Sequence, residues 1–236
     1  MESFINIVKP KVILEDVNWE EKEKKIEKAG RLCYKSEDKI NKTSRYKFIN
    51  HILERGHEAV IEHSTFSAIF VIDRGVSHEL VRHRLASYAQ ESTRYCNYSK
   101  DKFNKKINII DIMEILEMEY GDGEEVQNIW NTWKYTMEGS AKHYFKMLEM
   151  GATPEIARDV LPNSLKTEII VTANIREWRH ILKLRTARDA HPQIRQVMIP
   201  LLIKLTEESP LLFGDMDFPP DWSKFINNKV NVEIGL

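Results

Sequence analysis

The chain has 236 residues, 42% of them hydrophobic and 30% charged, which is typical of globular proteins and excludes the disordered and fibrous classes. The formal net charge is -1, so overall charge attracts neither nucleic acid nor acidic membranes, and any positive site must be local. No stretch approaches the ~20 apolar residues of a membrane span, and without an export-signal pattern the two cysteines, Cys33 and Cys96, predict reduced thiols in a cytoplasmic protein.

The first third of the chain predicts two helices and a strand. Apolar residues recur at helical spacing over residues 17–34, and the charges between them indicate a solvated helix face. The same spacing continues over residues 43–57 and stops at Gly56, a usual C-terminal cap. Residues 65–74 are rich in β-branched and aromatic side chains and predict a strand, which Gly75 ends.

A third helix is predicted directly after this strand. It covers residues 76–87 and has Ser77 near its start, where a hydroxyl can cap the first turn. If the segment up to about Leu85 is helical, Glu79, Arg82 and His83 share one of its faces and Arg84 points elsewhere.

The middle of the chain predicts a long helix after an ambiguous segment, residues 99–122. Residues 125–151 carry an apolar stripe at helical spacing, which indicates core packing rather than a cofactor site. The stripe consists of Trp130, Trp133, Met137, Ala141, Tyr144, Phe145 and Leu148. A further helix is predicted with Thr153 as its cap and Pro154 in its first turn, ending at Pro162.

The last third predicts a strand over residues 166–174 and helices over residues 176–187 and 191–209. Pro200 predicts a kink or break in the last of these helices. There is no internal repeat, low-complexity linker or sharp change of composition. The predicted fold class is therefore α+β, a single domain over residues 1–236 with a small central β-sheet flanked by several helices.

Two short segments approach a zinc-protease signature without meeting it. HEAVIEH and HELVRH place their histidines six and five residues apart, whereas zinc needs histidines four apart on one helical face. No metal site is therefore expected. The chain also has no GxGxxG and no GxxxxGK[ST], so a bound nucleotide would be held by arginines and hydroxyls rather than by a glycine-rich turn.

The stretch VRHRLASYAQESTRY, residues 81–95, is the strongest candidate for a binding site. It combines four basic side chains and three hydroxyls: Arg82, His83, Arg84 and Arg94 with Ser87, Ser92 and Thr93. The guanidinium fork matches phosphate oxygens and stays charged, and hydroxyls complete such a site. The alternative is a basic helix end capped by local serines. The density of cations, with no run of acids beside them, favours an anion site.

A second basic group lies late in the chain. Four of its members fall on one helical side: Arg176, Arg179, His180 and Lys183, with Arg185 and Arg188 following. Asn174 lies at the junction of the predicted strand and helix, where a short amide often caps a helix or contacts a ligand. A solvated helix face and an RNA-binding face are the other interpretations. The second lacks an aromatic-rich RNA-binding strand and a basic net charge.

The segment RHRLASYAQES has the form Arg-His-Arg, seven residues, then Ser, at Arg82, His83, Arg84 and Ser92. It resembles the signature of the flavin-dependent thymidylate synthases, a family unrelated in fold to the cysteine-dependent thymidylate synthases. Four other segments resemble family blocks in the family's order: GHEAVIEH, ARDVLP, TANIREWRHIL and LRTARDAHPQIR. The resemblance covers roughly residues 51–207.

The resemblance implies a homotetramer with FAD bound between subunits, and an enzyme that makes dTMP from dUMP. Such a methyltransferase takes carbon from 5,10-methylenetetrahydrofolate and reducing power from NADPH through the flavin. Neither nucleic acid nor a membrane is expected as a partner. The chemistry needs no cysteine nucleophile, so Cys96, just past the motif, is expected to be a packing residue.

The resemblance also implies the site residues by position. FAD would contact His57, Ala59, Arg82, His83, Arg84, Gln90, Asn174, Arg176 and His180. The substrate dUMP would contact Glu79, Arg82, Gln90, Glu91, Ser92, Thr93, Arg94, Arg158 and Arg185, with Arg94 and Arg158 nearest its phosphate. Arg185 would be the catalytic residue, since a cation beside the uracil favours ionisation of its imide.

Two positions depart from the family pattern. Ala59 stands where many relatives have Ser or Thr, so a hydroxyl contact to the flavin is lost there. His180 stands where some relatives have Asn, and the spacing of TARDAHP after Arg185 also varies.

Two other classes of function remain open at this point. One is a nucleotide- or RNA-binding protein without enzymatic activity that uses the same basic clusters. The other is a relative that binds FAD but no longer methylates, which the presence of Arg94, Arg158 and Arg185 together disfavours. A yellow protein with flavin absorbance distinguishes the enzyme from the first alternative, which predicts a colourless protein.

Overall fold

The computed structural model describes residues 3–225 and 230–235. The chain divides into two compact units, each assembled from separate stretches of sequence. The first unit contains the residues up to Lys11, Phe70–Arg82 and Ala89–Ile169; the second contains Val12–Ile69, His83–Tyr88 and the residues from Ile170 onward.

Nine helices and seven strands follow one another along the described residues. The α-helices are α1 (Trp19–Tyr34), α2 (Ser44–Glu54), α3 (Arg74–Leu80), α4 (Met113–Tyr120), α5 (Glu124–Glu149), α6 (Pro154–Ala157), α7 (Ile175–Arg185), α8 (Pro192–Glu208) and α9 (Pro210–Phe213). The strands are β1 (Ile5–Val8), β2 (Lys11–Leu14), β3 (Thr65–Asp73), β4 (Ser87–Gln90), β5 (Ile107–Ile110), β6 (Lys166–Asn174) and β7 (Val232–Ile234). Short 3₁₀ helices include Glu37–Lys39, Glu58–His63 and Arg158–Val160.

The strands form two sheets. In the first unit, β1 and β5 pair in parallel, with Ile5 opposite Ile107. The larger sheet has the strand order β4-β6-β3-β2-β7, and β2 pairs with β7 in parallel, with Val12 opposite Val232. The α+β class predicted from the sequence is confirmed.

The first unit is built around one face of α5. Met137, Ala141, Tyr144 and Phe145 are buried there, and Trp133 and Leu148 pack against the same cluster. Strand β5 contributes further apolar side chains to this cluster. The interpretation of the apolar stripe as core is therefore confirmed for these positions.

An aromatic cluster fills the core of the second unit. Phe66 of β3 stacks on Trp178 of α7, with 4.8 Å between ring centroids, and the Trp178 indole donates to the Phe66 carbonyl. Trp19 of α1 and Phe213 of α9 meet Phe66 edge to face. Burying these four large rings at one place anchors α1, α7 and α9 on the sheet.

Most elements of the sequence prediction are found with shifts of a few residues. Strand β6 has the predicted bounds, α1, α2, β3 and α8 lie within the predicted segments, and α5 and α7 each begin one residue before theirs. The ambiguous segment 99–122 contains β5 and α4.

The predicted third helix is wrong at both ends. Asp73 caps α3, because its Oδ1 accepts from the Val76 amide at 2.7 Å, and the helix therefore begins at Arg74 with Gly75 inside it. The Ser77 hydroxyl instead donates to the Arg74 carbonyl. An aspartate one turn earlier thus replaces the predicted serine cap.

Helix α3 also ends earlier than predicted, at Leu80. The following residues form turns, in which the His83 carbonyl accepts from the Ala86 amide and from the Tyr88 hydroxyl. The predicted common helical face of Glu79, Arg82 and His83 is therefore wrong.

Two proline and cap predictions are also corrected. Helix α8 continues through Pro200, because nine of its residues are buried and their packing holds a helix that proline alone would break. The side chain of Thr153 makes no capping bond, and α6 ends at Ala157, so the helix predicted to reach Pro162 has a single α-helical turn. None of the described helices is both long and apolar enough to cross a bilayer.

Candidate functional site

The side chains singled out by the sequence fall into two groups, one in each unit. The first unit holds Glu79, Arg82, Gln90, Glu91, Ser92, Thr93, Arg94 and Arg158. The second unit holds His57, Ala59, His83, Arg84, Asn174, Arg176, His180 and Arg185. We refer to these two sets as the first cluster and the second cluster.

Gln90 anchors the first cluster at the end of β4. Its side-chain amide donates to the Ser77 hydroxyl at 2.9 Å and to the Thr167 hydroxyl at 3.1 Å. The next amide, that of Glu91, donates to the Glu168 carbonyl at 2.9 Å. Three hydrogen bonds within two residues fix the start of the segment that carries Ser92, Thr93 and Arg94.

The Glu91 carboxylate lies in a half-buried polar network. It accepts from Lys166 Nζ at 3.2 Å and from the Tyr98 hydroxyl at 3.4 Å. Burial alone would lower the pKa of Lys166, but the carboxylates of Glu168 and Glu91 raise it, so the ammonium stays charged. Burial, followed by the charge of Glu91, raises the pKa of the half-buried Cys96 thiol. Cys96 is therefore a thiol, not a thiolate, at neutral pH.

The two phosphate candidates of the first cluster keep most of their donors available. Arg158 Nη1 donates to the Thr93 hydroxyl at 3.2 Å. Arg94 Nε lies 3.5 Å from a Glu155 oxygen, and both of these side chains are more than half exposed. An arginine has five N–H donors, so each side chain retains a fork that can meet an anion. Arg82 is exposed, and Glu79 is half-buried.

The second cluster contains a buried imidazole that holds an arginine. His83 is 4% exposed, and its Nε2 accepts from Arg185 Nε at 2.9 Å. The other ring nitrogen lies 3.7 Å from a Glu177 oxygen, which is longer than a hydrogen bond. The His180 ring meets His83 edge to face, with 5.8 Å between centroids.

Electrostatics around His83 keep its ring neutral. Burial, the Arg185 cation and His180 lower the pKa of His83 to about 4. Burial also raises the pKa of Glu177, and burial together with Glu177 raises the pKa of Tyr88 to about 12. An acceptor at Nε2 therefore persists at neutral pH and fixes the direction of the Arg185 guanidinium.

A large cleft lies beside α7 in the second unit. Its volume is about 980 Å³, and its wall includes Asn174, Arg176, Arg179, His180, Lys183 and Arg188. Arg176 forms a salt bridge with Glu62 at 2.6 Å, and Arg179 forms a bidentate salt bridge with Asp215. Within the described residues His180, Lys183 and Arg188 form no ion pair, and the carboxylates of Glu177 and Asp217 also line the cleft.

Asn174 has a structural role at the base of this cleft. Its Oδ1 accepts from the Glu177 amide at 2.8 Å, which caps α7. The basic stripe predicted from the sequence is confirmed as one side of a helix. It lines a concavity and is partly neutralised by acids from distant segments, so it is not a plain solvated face.

The cleft is large enough for a dinucleotide. Its volume lies at the upper end of the roughly 300–1,000 Å³ that small-molecule sites occupy. His180, Lys183 and Arg188 suit a pyrophosphate, and Leu85 and Phe218 supply apolar wall for a ring system. Arg84, the remaining arginine of the motif, is exposed.

His57 and Ala59 lie on a second cleft of about 670 Å³, which also includes Arg176. His57 and Ala59 are exposed. Position 59 carries no hydroxyl, so any polar contact to a ligand here comes from its neighbours.

Sequence reasoning missed several partners that organise these clusters. Thr167 and Lys166 fix the first cluster, and Glu177 and Tyr88 surround His83. Lys166 and Thr167 lie outside the motif segments, whereas Tyr88 and Glu177 lie within RHRLASYAQES and TANIREWRHIL without having been singled out there. Asp215, which neutralises Arg179, lies outside every motif.

The fold and the two clusters define an α+β protein whose arginine and imidazole side chains suit nucleotide-like anions. Comparisons with known proteins identify the family. Residues 15–211 match the family described as thymidylate synthase complementing protein. The chain belongs to this family, the flavin-dependent thymidylate synthases.

Individual relatives agree with this assignment. The flavin-dependent thymidylate synthase of Corynebacterium aurimucosum is 33% identical over 210 residues, 84% of each chain. That of Geobacter sulfurreducens is 33% identical over 194 residues, 79% of this chain and 78% of the relative. The fold is similar to the crystal structure of a UMP/dUMP methylase, PolB from Streptomyces cacaoi, with a TM-score of 0.72 and 23% identity over 89% of this chain and 96% of that one.

Proposed function

We propose that this protein is a flavin-dependent thymidylate synthase that methylates dUMP to dTMP. The observation that carries the proposal is the Arg185 guanidinium held on a buried, neutral His83. A fixed cation of this kind suits a reaction in which negative charge develops on a heterocyclic ring. The names of the relatives, flavin-dependent thymidylate synthases, agree with this reaction.

Arg185 stabilises the ionised uracil imide, which makes the ring carbon more nucleophilic without a covalent bond to the enzyme. The cation needs no reorganisation during the reaction, because His83 already fixes its direction. The raised pKa of Cys96 and its half-buried position support a reaction without a cysteine nucleophile.

Arg94 and Arg158 bind the dUMP phosphate, with Ser92 and Thr93 completing the site. Gln90 and Glu91 hold the segment that carries them, through the contacts to Ser77, Thr167 and Lys166. Glu79 and Arg82 bind the nucleoside part of the substrate.

FAD is held by the second cluster. Lys183, Arg188 and His180 face its pyrophosphate, and Asn174, Arg176 and Arg84 bind it from the neighbouring turns. His57 and Ala59 lie toward the ring system, and Arg82, His83 and Gln90 complete the set that the family resemblance implies. When bound, FAD supplies the electrons that NADPH delivers, and 5,10-methylenetetrahydrofolate supplies the carbon.

The active protein is a cytoplasmic homotetramer, with FAD at the subunit interfaces and with residues 1–236 acting as one domain. Family membership supports this assembly. Light scattering of the purified holoenzyme tests it: a mass of four chains is expected, and a monomeric holoenzyme with full activity would contradict it.

The test of the function is an absorbance spectrum of the purified protein without oxygen, before and after NADPH, then with dUMP and methylenetetrahydrofolate. We expect a flavin spectrum that bleaches with NADPH, and dTMP formation once both substrates are present. A colourless protein that takes up no added FAD would overturn the enzyme and leave a nucleotide- or RNA-binding protein. Reducible flavin without dTMP would indicate a relative that no longer methylates.

A further inference from the structure

The second cleft lies where two helices end side by side. Helix α1 packs against α2, and its C-terminal residue Tyr34 is followed by a left-handed cap and the 3₁₀ helix Glu37–Lys39. Helix α2 ends at Glu54, and the chain turns at Gly56 with a φ of +66°. We call this concavity, with its volume of about 670 Å³, the α1–α2 cleft.

The cations on this cleft are of two kinds. Arg31 and Arg176 are engaged, because Arg31 donates twice to Glu27 and Arg176 pairs with Glu62 and Glu58. Lys39 and Arg55 are exposed, and the described part of the chain gives neither side chain an ion-pair partner. His51 and His57 add two further nitrogen-bearing side chains to the wall.

Acids do not balance these two free cations. Glu58 is the carboxylate among the described lining residues, and its oxygen lies 3.4 Å from Arg176 Nε. The cleft therefore presents an excess of positive charge at Lys39 and Arg55. A neutral ligand would leave that excess uncompensated, whereas an anionic ligand would meet it.

The rest of the wall is aromatic and aliphatic. Phe48 faces the cleft with the Arg31 guanidinium 4.6 Å from its ring centroid, and the Tyr34 ring is 66% exposed. Ile52 and Val60 add apolar surface. Flat apolar surface beside unpaired cations suits a ligand that joins an aromatic ring to several carboxylates.

We propose that the α1–α2 cleft binds the benzoyl-glutamate tail of the folate co-substrate, with the ring beside Tyr34 and Phe48 and the glutamate carboxylates on Lys39 and Arg55. This proposal rests on the proposed function, which makes a folate a substrate. A polyglutamate tail carries one additional carboxylate per residue, so the cleft selects the longer forms. The 2′-phosphate of NADPH is another anion of the reaction that suits these cations.

Steady-state kinetics separates these two sources. Methylenetetrahydrofolate with one glutamate is compared with the form carrying five, and NADPH with NADH, for the wild type and for Lys39→Ala and Arg55→Ala. We expect the wild type to have a KM at least about fivefold lower for the five-glutamate form, and each variant to lose about threefold of that preference, the effect of one exposed charge pair. The ratio of the KM for NADPH to the KM for NADH should be the same in the wild type and in both variants.

Lys47→Ala is the matched control, because Lys47 is an exposed cation on α2 that does not line the cleft. It should keep the wild-type preference for the longer tail. Equal KM values for both folates in the wild type would overturn the proposal. So would a loss confined to the NADPH-to-NADH ratio, which would assign the cations to the cofactor phosphate. A lowered Tm with unchanged folate preference would also overturn it, leaving the cations as partners of the two helix C-termini.

A binding measurement without turnover uses Cys33, which is exposed and lines the cleft. The rate of Cys33 alkylation is followed by peptide mass spectrometry, with Cys96 as internal reference. The five-glutamate folate should slow the alkylation of Cys33 at a lower concentration than the one-glutamate form does. The alkylation rate of Cys96 should not change. A wild-type protein that forms no dTMP and binds no flavin would refute the proposed function. Normal turnover with no protection of Cys33 would refute only the tail site.

Discussion

Both clusters contain arginines, but the surroundings of these arginines differ: one side chain is fixed by a buried partner and another is exposed. In the second cluster, Arg185 donates to an imidazole that is 4% exposed and neutral, so its direction is set before any ligand arrives. In the first cluster, Arg94 is more than half exposed; its Nε lies 3.5 Å from a Glu155 oxygen, and its guanidinium lies 5.2 Å from the centroid of the Tyr95 ring. One guanidinium is fixed within the fold; the other is free to follow a ligand.

This difference separates two ways in which an arginine contributes to a reaction. A fixed cation avoids reorganisation when charge develops, so its loss is expected in kcat. A mobile cation loses side-chain entropy when it binds, and its attraction is felt by substrate and transition state alike, so its loss is expected in KM. Substitution of either arginine tests this distinction.

The largest effect is expected for Arg185→Ala. The variant should retain flavin and lose about 10²–10³-fold in kcat, because the cation that stabilises the ionised ring is gone. Flavin absorbance and single-turnover rates measure the two quantities. Arg185→Lys should recover only part of the rate, since an ammonium cannot reproduce the fork held by His83. A colourless Arg185→Ala protein would contradict the role assigned to this residue.

Arg94→Ala should weaken dUMP binding by ~2 kcal/mol, about 30-fold, through loss of a charged contact to phosphate. The dissociation constant, measured by flavin fluorescence, should rise while kcat at saturating dUMP stays near the wild-type value. Lys100→Ala, which removes another exposed cation of the same unit, serves as control. Unchanged dUMP affinity would remove Arg94 from the phosphate site.

The buried imidazole should make stability depend on pH. Folding lowers the pKa of His83 from 6.5 to about 4, so the unfolded chain binds more protons between these values. The contribution is fully present above pH 6.5 and is lost as pH falls toward 4, by on the order of 2 kcal/mol. Urea unfolding at pH 7.5 and 4.5 should show a smaller pH difference for His83→Gln than for the wild type. An identical pH dependence in both proteins would show that His83 does not titrate in this way.

The smallest effect is expected for Cys96→Ser. Because the thiol is protonated and half-buried beside Glu91, it takes no part in the reaction, and kcat should change less than about twofold. The measurement is the rate of dTMP formation at saturating substrates. A loss of several orders of magnitude would place a nucleophile in the first cluster and undo its assignment to binding alone.

Local patterns predicted most of the fold. The spacing of apolar residues located α1, α5 and α7, and β-branched composition located β3 and β6, because these elements bury long, regular faces. The missed strands β1, β2, β4, β5 and β7 have three or four residues each and depend on partners far away in sequence. Periodicity over so few residues does not distinguish a strand from a loop.

The residues of the two clusters followed from the motif, but their environment did not. Glu177 follows Arg176 directly in the sequence and Glu91 lies three residues before Arg94, yet the fold pairs these arginines with Glu62 and Glu155 from distant segments. Early termination of α3 turned His83 into the buried acceptor of Arg185, a pairing across 102 residues that no spacing rule contains. Local rules describe single elements, and charge pairing depends on how distant elements pack.

Gly30 gives the α1–α2 cleft an unusual origin. A Cβ at this position of α1 would lie 2.5 and 2.6 Å from two carbons of the Phe48 ring. Only glycine, which has no Cβ, fits here without a shift of the ring. The ring that forms the cleft wall rests in the space this omission leaves. A methyl group at this position would displace the Phe48 ring, so Gly30→Ala is a steric change that alters one wall of the cleft without changing a charge.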